Sequence, residues 1–127
     1  MKSNDIGKYL FGILNNDAAI NQAIGDKNIY PIIAEYGVKK LPFIAYQRNG
    51  STPTYTKDGL VMESSSVEII CVDSDYDNSN DLALMVRDVL DDHSTNEIRF
   101  ILNSTSESWI EEGRFIQTLI YNVDVRC

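Results

Sequence analysis

The stretch VEIICVDSDYDNSNDLALMVRDVLDD, residues 67–92, decides the fold. Its opening alternates, with Val67, Ile69 and Cys71 on one side and Glu68, Ile70 and Val72 on the other. One side is wholly apolar and the other mostly so, which marks a central strand covered by a helix. Polar residues then run from Asp73 to Asp81. Beyond them Leu82, Met85, Val86, Val89 and Leu90 fall at i, i+3, i+4, i+7 and i+8, the stripe of a helix with one buried face, while Arg87, Asp88, Asp91 and Asp92 point outward. Strand, acidic turn and helix form the spine on which the rest is arranged.

A chain of 127 residues fills one domain, read here as a single unit over residues 1–127, and is long enough to bury a core without staples. Apolar content of 43% and charged content of 24% are globular values and argue against disorder. Residues 1–5 do not read as a leader, and no apolar run approaches the ~18 residues needed to span a bilayer, so a soluble protein made in a cytoplasm is expected. Cys71 and Cys127 have no framework spacing; Cys71 reads as a small core hydrophobe and Cys127 as a free, exposed thiol. The net charge of -8 repels phosphate backbones, which excludes tight DNA binding. The same repulsion suits a wall past which nucleic acid slides.

Upstream of the spine, Ser3 or Asn4 caps a first helix with Ile6, Leu10, Ile13 and Leu14 on one face. Asp17 caps a short second helix over residues 18–24, with Ile20, Ala23 and Ile24 inward and Gly25 as a left-handed C-terminal cap. Residues 28–33 read as a short extended segment that Pro31, lacking a donor, places at an edge or a strand end. Residues 34–41 form a polar connection. A strand follows over residues 43–48, ended by Asn49-Gly50, and residues 51–59 make an exposed loop or a loose hairpin arm.

The return strand is long, residues 60–73, and antiparallel to residues 43–48. After the helix, residues 92–96 turn and residues 98–102 alternate as another strand. Residues 103–108 are polar, residues 109–113 read as a bend, and residues 114–126 alternate throughout: Phe115, Gln117, Leu119, Tyr121, Val123 and Val125 against Ile116, Thr118, Ile120, Asn122 and Asp124. The expected fold is α+β: an antiparallel sheet of about four strands, with two short N-terminal helices and one long helix packed mainly on one face.

Asp73, Asp75 and Asp77, with Asp81 beyond, have the alternation of a calcium loop. They fail the EF-hand pattern, because Asn78 stands where the sharp-turn glycine belongs and Leu84 where the bidentate glutamate belongs. Capping of the long helix by Asp75 or Asp77 accounts for the same residues. Glu68 with Asp73, and Glu111 with Glu112, pair carboxylates without a nucleophile or oxyanion donor beside them. The lone His93 suits a helix C-terminus, and Gly25, Gly50 and Gly59 are isolated turn residues, not a phosphate loop. Tyr46, Gln47 and Arg48 with Tyr55 and Lys57 read as cross-strand packing in preference to a base-stacking patch. The chain is therefore read as a non-enzyme with no catalytic residue, no cofactor and no metal; a metal-dependent hydrolase or nuclease built on the acidic turn is the weakest reading.

The order of signals over residues 15–92 resembles the phage tail-completion or tail-terminator family, the tail-to-head joining proteins. The matching pieces are Asp17-Ala18-Ala19-Ile20, then Ile24-Gly25-Asp26-Lys27-Asn28-Ile29-Tyr30-Pro31, then Leu41-Pro42-Phe43-Ile44-Ala45-Tyr46-Gln47-Arg48, and finally the strand over residues 66–72 with a helix from Tyr76 through Val86-Arg87-Asp88-Val89-Leu90. The family runs from its basic residue directly into Ile-Tyr-Pro, whereas here Asn28 intervenes, and residues 103–127 have no detailed match. The resemblance implies a non-enzymatic ring protein, sixfold like a tail tube, that assembles in the host cytoplasm and caps the tube in the virion. Its partners would be further copies of itself, the tail-tube protein and the head connector, with DNA passing through the lumen and no membrane involved. Pro31, Tyr55, Phe115, Ile116, Ile120 and Tyr121 are then candidate subunit contacts, by strand addition or loop clasping. Asp73, Asp75, Asp77, Glu111 and Glu112, or Glu107 with the last two, are candidate lumen acids. The alternative is a small acidic monomeric adaptor that docks a basic protein.

Overall fold

A computed structural model describes residues 1–32, 40–110 and 113–127; the connection expected over residues 34–41 falls largely outside them, as do Glu111 and Glu112. A turn of 3-10 helix, Ser3–Asp5, leads into α1 (Ile6–Asn15) and α2 (Ala18–Ile24). The Asp5 carboxylate accepts from the Lys2 backbone N–H at 2.9 Å, so the first cap is built by Asp5 and not by Ser3 or Asn4. Asp17 accepts from the Ile20 N–H at 3.1 Å, and Gly25 closes α2 at φ +84°, a conformation that costs a residue without Cβ little. Ile6, Leu10, Leu14, Ile20 and Ile24 are buried, whereas Ala23 lies exposed.

The strands are β1 (Ile29–Pro31), β2 (Phe43–Thr56), β3 (Gly59–Asp73), β4 (Ile98–Ile110) and β5 (Arg114–Arg126), in the order β1-β2-β3-β5-β4. The sheet therefore has five strands, not four. The additional one, β1, runs parallel to β2 at the edge, with Ile29 opposite Ile44 and Pro31 opposite Tyr46; the other three pairings are antiparallel. Pro31 ends its strand at an edge, where a missing donor costs no ladder bond. The helix α3 (Tyr76–Leu90) follows β3 and folds back onto it.

One face of the sheet carries the main core. Ile44, Val67, Ile69, Cys71, Phe100, Leu119, Tyr121, Val123 and Val125 meet the three helices, with Leu82, Val86 and Leu90 supplying the stripe of α3. Met85 and Val89 are half-buried at its margin, and Ser79 and Ala83 join the buried side. The opposite face holds a smaller patch of Phe43, Ala45, Ile70, Val72 and Ile116, against which Tyr30, Leu41 and Ile110 pack. Among the described residues no helix is long and apolar enough to cross a membrane.

Two hairpins extend well past this core. Strand β2 does not end at Asn49-Gly50: a register shift absorbs the pair and the ladder resumes from Ser51 opposite Ser65 to Thr56 opposite Gly59. Strand β4 likewise continues through the polar run to Ile110, with one shift between Leu102 and Ser104. The two tips lie at opposite ends of the sheet, since Met62 pairs Arg126 while Asp73 pairs Phe115.

Candidate functional site

The acidic turn is a helix start. Asp75, extended at φ -118° and ψ 132°, accepts from the Asn78 N–H at 3.0 Å, and Asp77 sits in the first turn, where a carboxylate complements the helix dipole. Asp73 is buried and accepts from the Ser74 N–H at 2.6 Å, so its charge is spent locally and it leaves the set of lumen candidates. Asp75 and Asp77 are exposed. Among the described residues no group of His, Cys, Asp and Glu side chains is arranged to hold a metal ion.

Beside this turn lies an aromatic and polar cluster. The Tyr76 hydroxyl donates to Glu107 Oε2 at 2.7 Å, and Gln117 Nε2 donates to the same oxygen at 3.3 Å and to the Ser79 hydroxyl at 3.4 Å. The hydrogen bond to Glu107, and then its charge, raises the Tyr76 pKa. Tyr76 and Phe115 meet edge to face at 5.8 Å, and Trp109 stands opposite Phe115 on the neighbouring strand. Trp109 is 57% exposed and Tyr76 44%, large apolar surfaces left to solvent at one end of an acidic chain.

Among the described residues the sheet also has two open edges. Strand β1 covers β2 only as far as Tyr46, so among the described residues no strand borders residues 47–56 on that side. At the other edge the Ser94–Arg99 bridge and the Phe100 N–H donating to the His93 carbonyl occupy the first residues of β4, and no described strand borders residues 101–110.

The contact residues expected from the sequence scatter. Tyr55 is 67% exposed on the β2–β3 arm and Pro31 lies exposed at the β1 end. Phe115 and Ile120 are half-buried. Tyr121 is fully buried, its hydroxyl donating to Asp91 Oδ1 at 2.6 Å, and Ile116 is buried in the smaller patch; neither presents a side chain to another subunit. Alternation correctly separated the two faces of β5 but not which of them the helices cover. Trp109 was absent from the contact set because residues 109–113 read as a bend, while Tyr76 read as a helix start and Glu107 as a lumen acid. The polar run before that bend, with a lone tryptophan at its end, was the available signal for an exposed edge.

Among the described residues the remaining titratable groups do not come together in a catalytic set. A shallow hollow of about 750 Å³ beside α1 is lined by Met1, Tyr9, Gly12 and Ile13 with Asp5 and Lys8, and burial raises the Tyr9 phenol, which hydrogen-bonds His93 Nε2 at 2.6 Å. Burial pushes the Cys71 thiol up to about 12, so it stays protonated and packs as an apolar group; Cys127 is free and exposed.

The arrangement is that of a helix-backed sheet whose long hairpins and both edges face outward. Neither a family model nor a curated protein sequence matches the chain. Among solved structures it is similar to a chain in the virion of a native gene transfer agent particle, with a TM-score of 0.75 over 93% of this chain and 92% of that one at 12% identity. Overlap across nearly the whole of both chains establishes a shared α+β fold.

Proposed function

We propose that this protein is a structural component of a virion, without enzymatic activity, and that within the virion it forms a sixfold ring that closes the tail tube and joins it to the head. The observation that carries the reading is the fold, matched almost end to end by a chain of a virion particle. The open edges and the exposed arm support it, because a ring needs two different complementary patches on each copy. DNA passes through the ring, and the exposed acids Asp75 and Asp77, together with Glu111 and Glu112, keep the duplex off the wall. The tail-tube protein and the head connector are the neighbours on either side.

The test combines light scattering with electron microscopy, on the chain alone and after mixing with assembled tail tubes. Rings in solution or a cap at tube ends are expected. A chain that stays monomeric and leaves tube ends bare at every concentration overturns the reading.

A further inference from the structure

We propose that copies of this chain join edge to edge, residues 47–56 of β2 in one copy adding as a strand to residues 101–110 of β4 in the next. The inference rests on the ring reading and specifies its seam. The two open segments match in length, ten residues each. They also match in direction. Strand β2 runs antiparallel to β3, β3 to β5 and β5 to β4, so β2 and β4 of one copy run opposite ways. A head-to-tail operator that carries each sheet beside the next with strand direction kept therefore makes an antiparallel pair, the arrangement with straight hydrogen bonds.

The stagger is consistent with closure. Pairing through β5 sets residues 101–110 alongside β3 positions from Ser66 to just past Asp73, while residues 47–56 lie alongside positions from Glu68 back to Gly59. The two centres differ by roughly 6 to 7 residues, or about 21 Å along the strands at ~3.3 Å per residue. Four strand steps separate β2 from the β2 of the next copy, about 19 Å at ~4.8 Å each. The quotient is a strand tilt of about 45°, within reach of what a closed sheet adopts.

Charge agrees as well. In a chain of net charge -8, β2 contains Arg48 and no acid, whereas the end of β4 carries Glu107 and lies beside the α3 turn with Asp75 and Asp77. With the two segments centred, Arg48 falls opposite Trp109 and next to Glu107, and Tyr55 falls opposite Leu102. Arg48 is exposed and gives one bond to the Ser3 hydroxyl at 2.9 Å, which leaves other guanidinium donors for a carboxylate and for the indole face. Pro53 withholds one donor and each segment has a register shift, so the seam makes fewer than the full ladder of bonds. The anchors at its ends compensate.

The experiment uses the full chain in a Cys127→Ser background. Thr56→Cys with Ile101→Cys, which fall opposite each other on the polar face in this register, should give covalent ladders on oxidation, and neither single variant should pass the dimer. Arg48→Glu or Glu107→Arg alone should weaken association at least about tenfold, and the two together should restore most of it. Trp109→Ser, on a side chain outside the core, checks the same seam without touching Arg48. If rings form but the ladder is missing and the charge exchange has no effect, the seam is wrong and the ring reading survives. If no association occurs even on tube ends, both fall.

Discussion

At the scale of single residues, the firmest polar commitment is Tyr121. Its ring is fully buried against Phe100, the two meeting edge to face at 6.1 Å, and its hydroxyl reaches Asp91, which also holds Arg87 Nε at 2.9 Å. Removing the hydroxyl in Tyr121→Phe strips a buried hydrogen bond to a charged acceptor and should cost about 2 kcal/mol, a fall in Tm of several degrees for a domain of this size. Burial first, and the bond to Asp91 second, raise the Tyr121 pKa above its ordinary value near 10. A group held protonated by the fold contributes its full stability below the unfolded value and loses it as pH climbs past that value. The gap between the parent and Tyr121→Phe, followed by thermal melts from about pH 8 to 11.5, should therefore be constant up to about pH 10 and narrow above it. A gap that widens with alkalinity would contradict the buried, protonated phenol. Phe115 shares the helix-backed face with Tyr121 but lies at its far end beside Tyr76, and Ile120 lies on the opposite face; both are half-buried.

At the scale of elements, α3 shows what side-chain chemistry settles. Asp75 and Asp77 both suited the cap on the sequence, and only Asp75 has the extended backbone and the 3.0 Å bond to Asn78. Asp75→Ala should lower stability by about 1 kcal/mol, or about 3–5 °C in Tm, while Asp77→Ala, which removes only a dipole interaction, should cost a few tenths. Equal losses would mean that the cap is not the reason the turn is acidic. Elements whose own residues carry a period or a cap were legible: α2, α3 and the full length of β5 fall where the residues place them. Three features were not. The short extended segment at an edge was legible from Pro31, but the parallel pairing of β1 with β2 was not, because it depends on a partner 15 positions away. The outer halves of β2 and β4 are mostly Ser, Thr, Asn and Gly, exposed on both faces, with Tyr55 and Trp109 as single large side chains, so no hydrophobic period marks them; backbone pairing with β3 and β5 makes them strands. The open edges, and with them the seam, were illegible for the same reason, because an edge is a property of the assembled sheet.

At the scale of the whole molecule, an edge-joined ring must turn one face of its sheet toward the hole, and the two faces differ. Helices back one; the other, beyond the patch around Phe43, carries Gln47, Ser66, Glu68, Thr118, Asn122 and Asp124 in register. A polar face turned inward puts Glu68 and Asp124 along the bore, while Asp77 and Asp81 lie in the first two turns of α3, where β3 ends and the helix-backed face begins. At a formal -8 per copy, six copies carry 6 × -8 = -48, enough to hold a duplex away from the wall at low salt and less so as salt rises. Each of two double variants, Glu68→Lys with Asp124→Lys and Asp77→Lys with Asp81→Lys, moves a copy from -8 to -4 and leaves the Asp75 cap in place. Ring formation by electron microscopy and DNA ejection by dye fluorescence from assembled particles then report on different things. Rings should form in both variants, and ejection should slow, more for the bore pair than for the end pair, with the difference shrinking above about 0.3 M salt. Slowing confined to the end pair would mean that the helix-backed face lines the hole. Unchanged ejection in both, with rings intact, would remove the acidic wall from the proposal and leave the ring as a purely mechanical joint.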